Sequence, residues 1–487
     1  MLTDPVHQQS EARPSAVLNG FWNAIGTGTL ALGGVISSVI VVRSLSVAQY
    51  GRLSFYLWLG SALASLGLLS FPPALTKVVS QLYGAAEYAA AASIIPWVGQ
   101  ILFYINIGLG VAVALYALFE GSVNRQLLLV VAVSLLPGAM ARVLNSRVLA
   151  QERYRISMIA SICIALAILA GVVIAHALHW KTVGYEAVLL SAGGVQMAVL
   201  LLATRGATFV RFGRQQVDAK VKKIYLTYLF PSLFVTLFDL VVWQRSEIYF
   251  LNLFAPMSEI GLYSISYTLF STFNLIGGAL LNGLFPSLSH DYGAGDLEQL
   301  AQKSRAGIGL AVFYALPVSL GGIVAAPTVL ALFYGPQIAA AGPVASILMA
   351  GVLPGALAAA MAFSLSAGGR VWKLVGVGAV FAAVNLVLDL VLIPHGFSTG
   401  AALANTLTQY GYAIAVVAIA AKEFHFGIPW RWLAVCAVFS VALPMGLPLA
   451  FAAVGASGWT LLSVMGVGYV AYWVVCRRFG AWQIFEL

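Results

Sequence analysis

Charge is scarce in this sequence. Only 8% of its 487 residues are Asp, Glu, Lys or Arg and 61% are hydrophobic, whereas soluble domains carry about 25% charged residues. So few charges cannot cover a water-exposed surface of this size, which excludes a soluble enzyme or binding domain. Polar residues fall instead in short islands between apolar stretches of about 20 residues, the length that crosses a ~30 Å hydrocarbon core. Cysteine is rare as well. Cys163, Cys436 and Cys476 lie in or beside apolar runs, with no CxxC pair or histidine cluster, and suggest neither disulfide nor metal site. No GxxxxGK[ST] occurs, so the chain has no phosphate-cradling loop for ATP. The longest hydrophilic island, roughly 18 residues between Thr204 and Lys223, leaves no room for a catalytic domain, and no enzymatic activity is expected. The first 16 residues lack the apolar core and cleavage site of a signal peptide, so the run from Val17 reads as a retained first span.

What is present is a series of apolar runs. Spans are expected at 17–42, 53–75, 94–118, 127–149, 156–178 and 183–204, then at 224–253, 262–288, 306–333, 343–366, 371–393 and 399–421, with a final pair at 431–453 and 458–476. The reading is an all-α polytopic membrane protein of about fourteen helices. Its parts are a cytoplasmic N-terminal segment (1–16), a six-helix lobe (17–204), a basic linker (205–223), a second six-helix lobe (224–421), and a final pair with a cytoplasmic tail (422–487).

Cytoplasmic loops of membrane proteins collect Lys and Arg. With the N-terminus inside, 20 of the 25 Lys and Arg fall on the cytoplasmic side, four fall outside, and Arg245 lies within the seventh span. Both termini are therefore expected in the cytoplasm. The net charge of +9 is accounted for by topology and anionic lipid, and needs no nucleic acid.

Loops compared at a fixed offset show an internal repeat. AQYGRLS (48–54) aligns with SEIGLYS (258–264) at 210, YGAAE (83–87) with YGAGD (292–296) at 209, and LFEG (118–121) with LFYG (332–335) at 214. An even number of helices separates the copies, so the halves share one topology and an axis along the membrane normal. Two such lobes point to alternating access around a central site.

RSLSVAQYGRLSFYLWLGSALASLGL followed by PPALTKVVSQLYGAAEY, and FDLVVWQRSEIYFLNLFAPMSEIGLYSISYTLF, resemble the bacterial polysaccharide flippases of the multidrug, oligosaccharidyl-lipid and polysaccharide exporter superfamily. The resemblance runs through most of 17–420. It implies translocation of a polyprenyl-diphosphate-linked oligosaccharide across the bacterial inner membrane for surface polysaccharide biosynthesis, alongside a polymerase or glycosyltransferases. Exporters of cationic drugs or of the peptidoglycan precursor belong to the same superfamily. A membrane scaffold of a glycan assembly complex is the alternative from another class.

A diphosphate needs cationic groups along its path. The first, second, seventh and eighth helices line the cavity in the family, so the resemblance makes Arg43, Arg52 and Arg245 candidate cargo contacts, and Arg142 and Arg147 are candidates at the cytoplasmic side. Arginine near a helix end ordinarily snorkels to the interface, which is the plainer account of Arg43 and Arg52, and positive-inside anchoring explains Arg142 and Arg147 nearly as well as cargo contact does. Ionisable residues inside a span face water or one another. Three acids, Asp239, Glu247 and Asp389, are therefore candidates for coupling transport to H+ or Na+; no resident cofactor or metal is expected. In a straight seventh helix Asp239 lies about 22 Å beyond Ile224, with Glu247 about 80° further round and Arg245 facing away from both. Asn385, four residues before Asp389, shares its face of the eleventh helix.

Overall fold

The computed structural model describes residues 16–204, 209–210, 213, 217–242, 245–281, 284–455 and 458–478. Among these every regular element is helical, as a chain in lipid requires, because helices satisfy their own backbone hydrogen bonds. The helices are α1 (Ala16–Ser44), α2 (Val47–Leu68), α3 (Phe71–Gly84), α4 (Tyr88–Ala117), α5 (Ser122–Ala150), α6 (Tyr154–Ala177), α7 (Thr182–Leu190), α8 (Ala192–Ala203), α9 (Ala219–Val242) and α10 (Glu247–Phe254). They continue with α11 (Met257–Leu281), α12 (Leu284–Gly293), α13 (Leu297–Tyr334), α14 (Gly342–Ala350), α15 (Val352–Ala367), α16 (Val371–Phe424), α17 (Trp430–Ser440), α18 (Gly446–Ala453) and α19 (Trp459–Arg478).

Ten stretches of the described chain are long and apolar enough to span, or eleven if α2 and the adjoining Phe71–Tyr83, bent by 43°, count as one. The expected fourteen is not reached on length and apolarity alone: the expected span at 262–288, which falls largely on α11, is not among the eleven, and the other two shortfalls have structural reasons. The 54 residues of α16 hold two of the expected spans, 371–393 and 399–421, separated by Phe397 with non-helical backbone (φ 44°, ψ −125°). The expected seventh span, 224–253, is not one straight helix. It is interrupted between α9 and α10, where Arg245 takes a left-handed φ of 60°.

The chain forms two compact units that interleave in sequence. The first comprises Met1–Ser38 and Leu63–Leu233, the second Val39–Ala62 and Phe234–Leu487. In the first unit, left-handed Leu69 and Ser70 end α2, and Pro72 and Pro73 then start α3, where a missing N–H costs nothing. Early α9 is fastened to that break: the Tyr225 hydroxyl donates to Phe71 O at 2.9 Å, and Ser70 Oγ donates to Ser232 O at 2.7 Å. Around them Leu75, Val78, Val79, Ile94, Val98, Leu102 and Val143 form a closed apolar core.

In the second unit, the two repeat-related loop motifs meet. A methyl group on Gly51 would lie 1.7 Å from Met257 O, and one on Gly261 would lie 2.4 Å from Val47 O. The contact is reciprocal, since 47 pairs with 257 and 51 with 261 at the same offset of 210. Only glycine lets the starts of α2 and α11 cross this closely. The last helices are tied to α13 by side chains. Trp432 Nε1 donates to Gly309 O at 3.3 Å, Tyr472 to Phe313 O at 3.1 Å and Tyr469 to Pro317 O at 2.7 Å. Between them, Val441–Met445 adopts a π turn around Pro444, the insertion by which a helix absorbs a proline.

Candidate functional site: a buried carboxylate pair in the second unit

The interruption before α10 places Ser246 and Glu247 at a helix start inside the second unit. The two arms of α16 bring further polar residues to them. Asn385 and Asp389 come from the first arm, four residues apart, and Asn405 and Gln409 come from the second, also four apart, so each pair shares a helix face. A turn at Phe397 joins the arms. Glu259, in the first turn of α11, holds it by accepting hydrogen bonds from the backbone N–H of Ser398 at 3.2 Å and from its hydroxyl.

Glu247 and Asp389 are both 0% exposed. Asn405 Nδ2 donates to Glu247 Oε1 at 2.8 Å, and Gln409 Nε2 donates to Asn405 Oδ1 at 2.6 Å. Asn385 Nδ2 donates to Asp389 Oδ2 at 3.0 Å, and the Ser246 hydroxyl donates to the same oxygen at 3.3 Å. The two carboxylates are close enough to interact electrostatically, and Tyr263 approaches Glu247 from α11. Four buried oxygens, Glu247 Oε2, Asp389 Oδ1, Asn385 Oδ1 and Gln409 Oε1, accept no hydrogen bond from any described residue.

Burying two acids together is costly unless a positive charge joins them. The donor set here is all oxygen, from two carboxylates, two amides and a hydroxyl, which suits a hard cation such as Na+, and a proton shared by the carboxylates also meets the need. Histidine and cysteine are absent from the group, and no cluster of three or more His, Cys, Asp or Glu occurs among the described residues, so a zinc-type site has no basis there.

The structure brings Glu247 and Asp389 together, with Arg245 two residues before Glu247. The Arg245 guanidinium lies 5.0 Å over the Tyr267 ring, a cation–π contact, and forms no ion pair with either acid. The angular estimate for Asp239, Arg245 and Glu247 assumed an unbroken helix and does not hold across the break. Asp239 belongs to α9, but its side chain lies outside the described residues. Arg43 is engaged elsewhere: its Nε and Nη2 donate to Phe333 O at 2.8 Å and Leu332 O at 3.0 Å, capping the last carbonyls of α13. Arg52 is half-buried on α2. Arg142, exposed, and Arg147, half-buried, sit near the end of α5 in the other unit.

Ser246, Asn405, Gln409 and Tyr263 were not anticipated from sequence. One signal was available: Asn405 and Gln409 repeat, in the next span, the four-residue polar spacing of Asn385 and Asp389.

A family model described as Lipid II flippase MurJ matches residues 122–469. The Probable flippase AglR of Haloferax volcanii is 26% identical over 173 residues, covering 35% of this chain and 36% of that protein, so the chain spans about a third of that relative's length. Among solved structures, an inward closed Lipid II flippase MurJ aligns over 94% of this chain and 99% of its own, with a TM-score of 0.69 and 11% identity. An inward-facing multidrug resistance MATE family transporter aligns over 80% and 98%, with a TM-score of 0.61 and 14% identity. A MOP superfamily transporter from Pyrococcus furiosus aligns over 84% and 95%, with a TM-score of 0.61 and 17% identity. At these identities the structural matches establish the fold.

Proposed function

Because the chain belongs to the lipid II flippase MurJ family, we propose that it carries a polyprenyl-diphosphate-linked glycan across the bacterial inner membrane by alternating access, coupled to a cation bound between Glu247 and Asp389. The family assignment makes the chain a multi-pass membrane flippase. The observation that carries the coupling is the buried carboxylate pair with four unpartnered oxygens around it.

The cargo class follows from charge and from family. A diphosphate bearing sugars is common to oligosaccharide carriers and to the peptidoglycan precursor, and the family's own description favours the second of these. Arg52 and Arg245 are the arginines best placed to meet the diphosphate, since Arg43 is committed to α13. The termini are assigned to the cytoplasm on the distribution of Lys and Arg, and polymerase or glycosyltransferase partners follow from either cargo.

Glu247 and Asp389 present their free oxygens to Na+ or share a proton, while Asn385, Asn405, Gln409 and Ser246 hold the carboxylates in place. Such a cation supplies neutralisation of the buried charge. Because Glu247 heads α10 two residues after the left-handed Arg245, filling and emptying the site changes the energy of the α9–α10 junction, the kind of broken helix on which transporters pivot.

The test is transbilayer movement in proteoliposomes of a polyprenyl diphosphate oligosaccharide and, in parallel, of the peptidoglycan precursor, with and without Na+ or proton gradients. Wild-type protein should move one cargo with an acceleration by one gradient. Glu247→Gln and Asp389→Asn should keep the fold and lose that acceleration, by about tenfold or more if the bound cation contributes at least ~1.4 kcal/mol. Folded wild-type protein that moves neither cargo would defeat the flippase assignment, and variants that respond to the gradient as wild type does would defeat the coupling site alone.

A further inference from the structure

One buried acid has no part in the pair described above. Glu186 of α7, in the first unit, is 0% exposed, and neither of its carboxylate oxygens accepts a hydrogen bond from any described residue. Along α7 and α8 only Thr182, Tyr185, Glu186 and Leu200 are buried. Glycines seat these helices closely: a methyl on Gly193 of α8 would lie 2.7 Å from Gly138 Cα of α5, and one on Gly171 of α6 would lie 2.7 Å from Val188 Cγ1 of α7. Ser191, between α7 and α8, keeps helical backbone. Glu186, seven residues before Gly193, therefore lies two turns away on the same face, the face turned to α5. The stretch of α5 ahead of Gly138 carries the buried aliphatics Leu127, Leu128, Val131 and Leu135. Of the charged groups on the packed helices, Arg125 of α5 donates to Leu118 O and Glu120 O. Arg142 and Arg147 stand near the other end of α5, Arg155 and His176 at the two ends of α6, and exposed Lys181 just before α7. None of them donates a hydrogen bond to Glu186.

A bare carboxylate in such a place is costly, and so is a neutral carboxyl with nothing to bond. An apolar side chain would fill the same volume without either cost, so packing alone does not account for an acid there. We infer that Glu186 is a proton-binding site of the first unit: it holds a proton while α7 is seated on α5, and releases it to water when the outer end of α7 lifts. The ligand is a proton rather than Na+, because a hard metal cation collects about six oxygens and here a single carboxyl is present. Glu186 stands four residues, about 6 Å of helix, from Thr182, at the end of α7 that the Lys and Arg distribution assigns to the outside. A small separation at that end admits water to it. Protonation thus favours the seated α7 and ionisation the lifted one, a response separate from cation binding at Glu247 and Asp389.

The test reads the protonation and the accessibility of this one carboxyl in the purified full chain. Infrared spectra of wild type and Glu186→Gln at neutral pH should differ by the carbonyl band of a protonated carboxyl, which shifts to lower frequency in D2O. Dicyclohexylcarbodiimide, an apolar reagent that adds to protonated carboxyls, should modify Glu186 in wild type, as mapped by mass spectrometry. That modification should be lost in strongly alkaline buffer and unchanged when K+ is replaced by Na+. A difference spectrum without the band would show Glu186 ionised, absent modification would show a carboxyl sealed at all times, and protection by Na+ would make it a metal-cation site; each result overturns the inference. The labelling needs no variant, so it is decisive even where Glu186→Gln does not fold. Neither readout uses cargo, a gradient or the Glu247 and Asp389 pair, so failure here leaves the proposed function standing.

Discussion

Replacing Gly51 with alanine tests the closest helix crossing in the second unit. The added methyl would sit 1.7 Å from Met257 O. A carbon in a real structure keeps about 3.0 Å or more from a carbonyl oxygen, so the starts of α2 and α11 must separate by at least 1.3 Å. The atom in the way is backbone, so no side-chain rotation relieves it. Overpacking of this kind costs about 1–3 kcal/mol, occasionally more, while Gly→Ala in a helix interior returns about 1 kcal/mol of propensity. The net expectation is a destabilisation of about 0–2 kcal/mol, toward the upper end because the obstruction is backbone. Gly34→Ala in α1 is the control, because nothing lies within 4 Å of a methyl there, and the propensity gain alone should raise stability by up to about 1 kcal/mol. Thermal unfolding in detergent, followed by intrinsic tryptophan fluorescence, measures both. Gly51→Ala should unfold below wild type and Gly34→Ala at or above it. Gly261→Ala should resemble Gly51→Ala, and the double variant should lose less than the sum, because both methyls wedge the same crossing. A Gly51→Ala protein as stable as Gly34→Ala would refute the crossing.

Two further substitutions separate structural from functional roles. Arg43→Ala removes two hydrogen bonds from the last carbonyls of α13 and should lower stability by about 1 kcal/mol while leaving cargo affinity in a binding assay unchanged; a selective loss of affinity would return Arg43 to the cargo path. Glu259→Ala frees the turn at Ser398 and should cost about 1–2 kcal/mol in thermal unfolding, as loss of a helix cap does, and weaken the gradient response that Asn405 and Asp389 support from either side of that turn. Glu259→Gln should recover part of both, and a gradient response unaffected in Glu259→Ala would show that the turn does not position the site.

Much of the architecture was legible because lipid constrains sequence so strongly. Apolar runs marked the spans, and the two expected spans at 371–393 and 399–421 are the two arms of α16, divided by the turn at Phe397. The break before α10 was not legible, because WQRSE contains neither glycine nor proline, and left-handed Arg245 is held by its surroundings rather than by local preference. Depth along a straight helix therefore drew attention to Asp239, while the acid that the fold pairs is Glu247. Asp389 was visible as a buried acid, but its partner lies 142 positions earlier in sequence, and no spacing rule reaches across that distance. The glycine motif behaves differently. Gly51 and Gly261 are matching positions of the repeat, and the fold makes them mutually dependent, since each copy supplies the gap that the other's backbone fills. A repeat that meets itself in this way constrains both copies at once, which is a physical reason for the two loop motifs to stay alike while the helices between them differ.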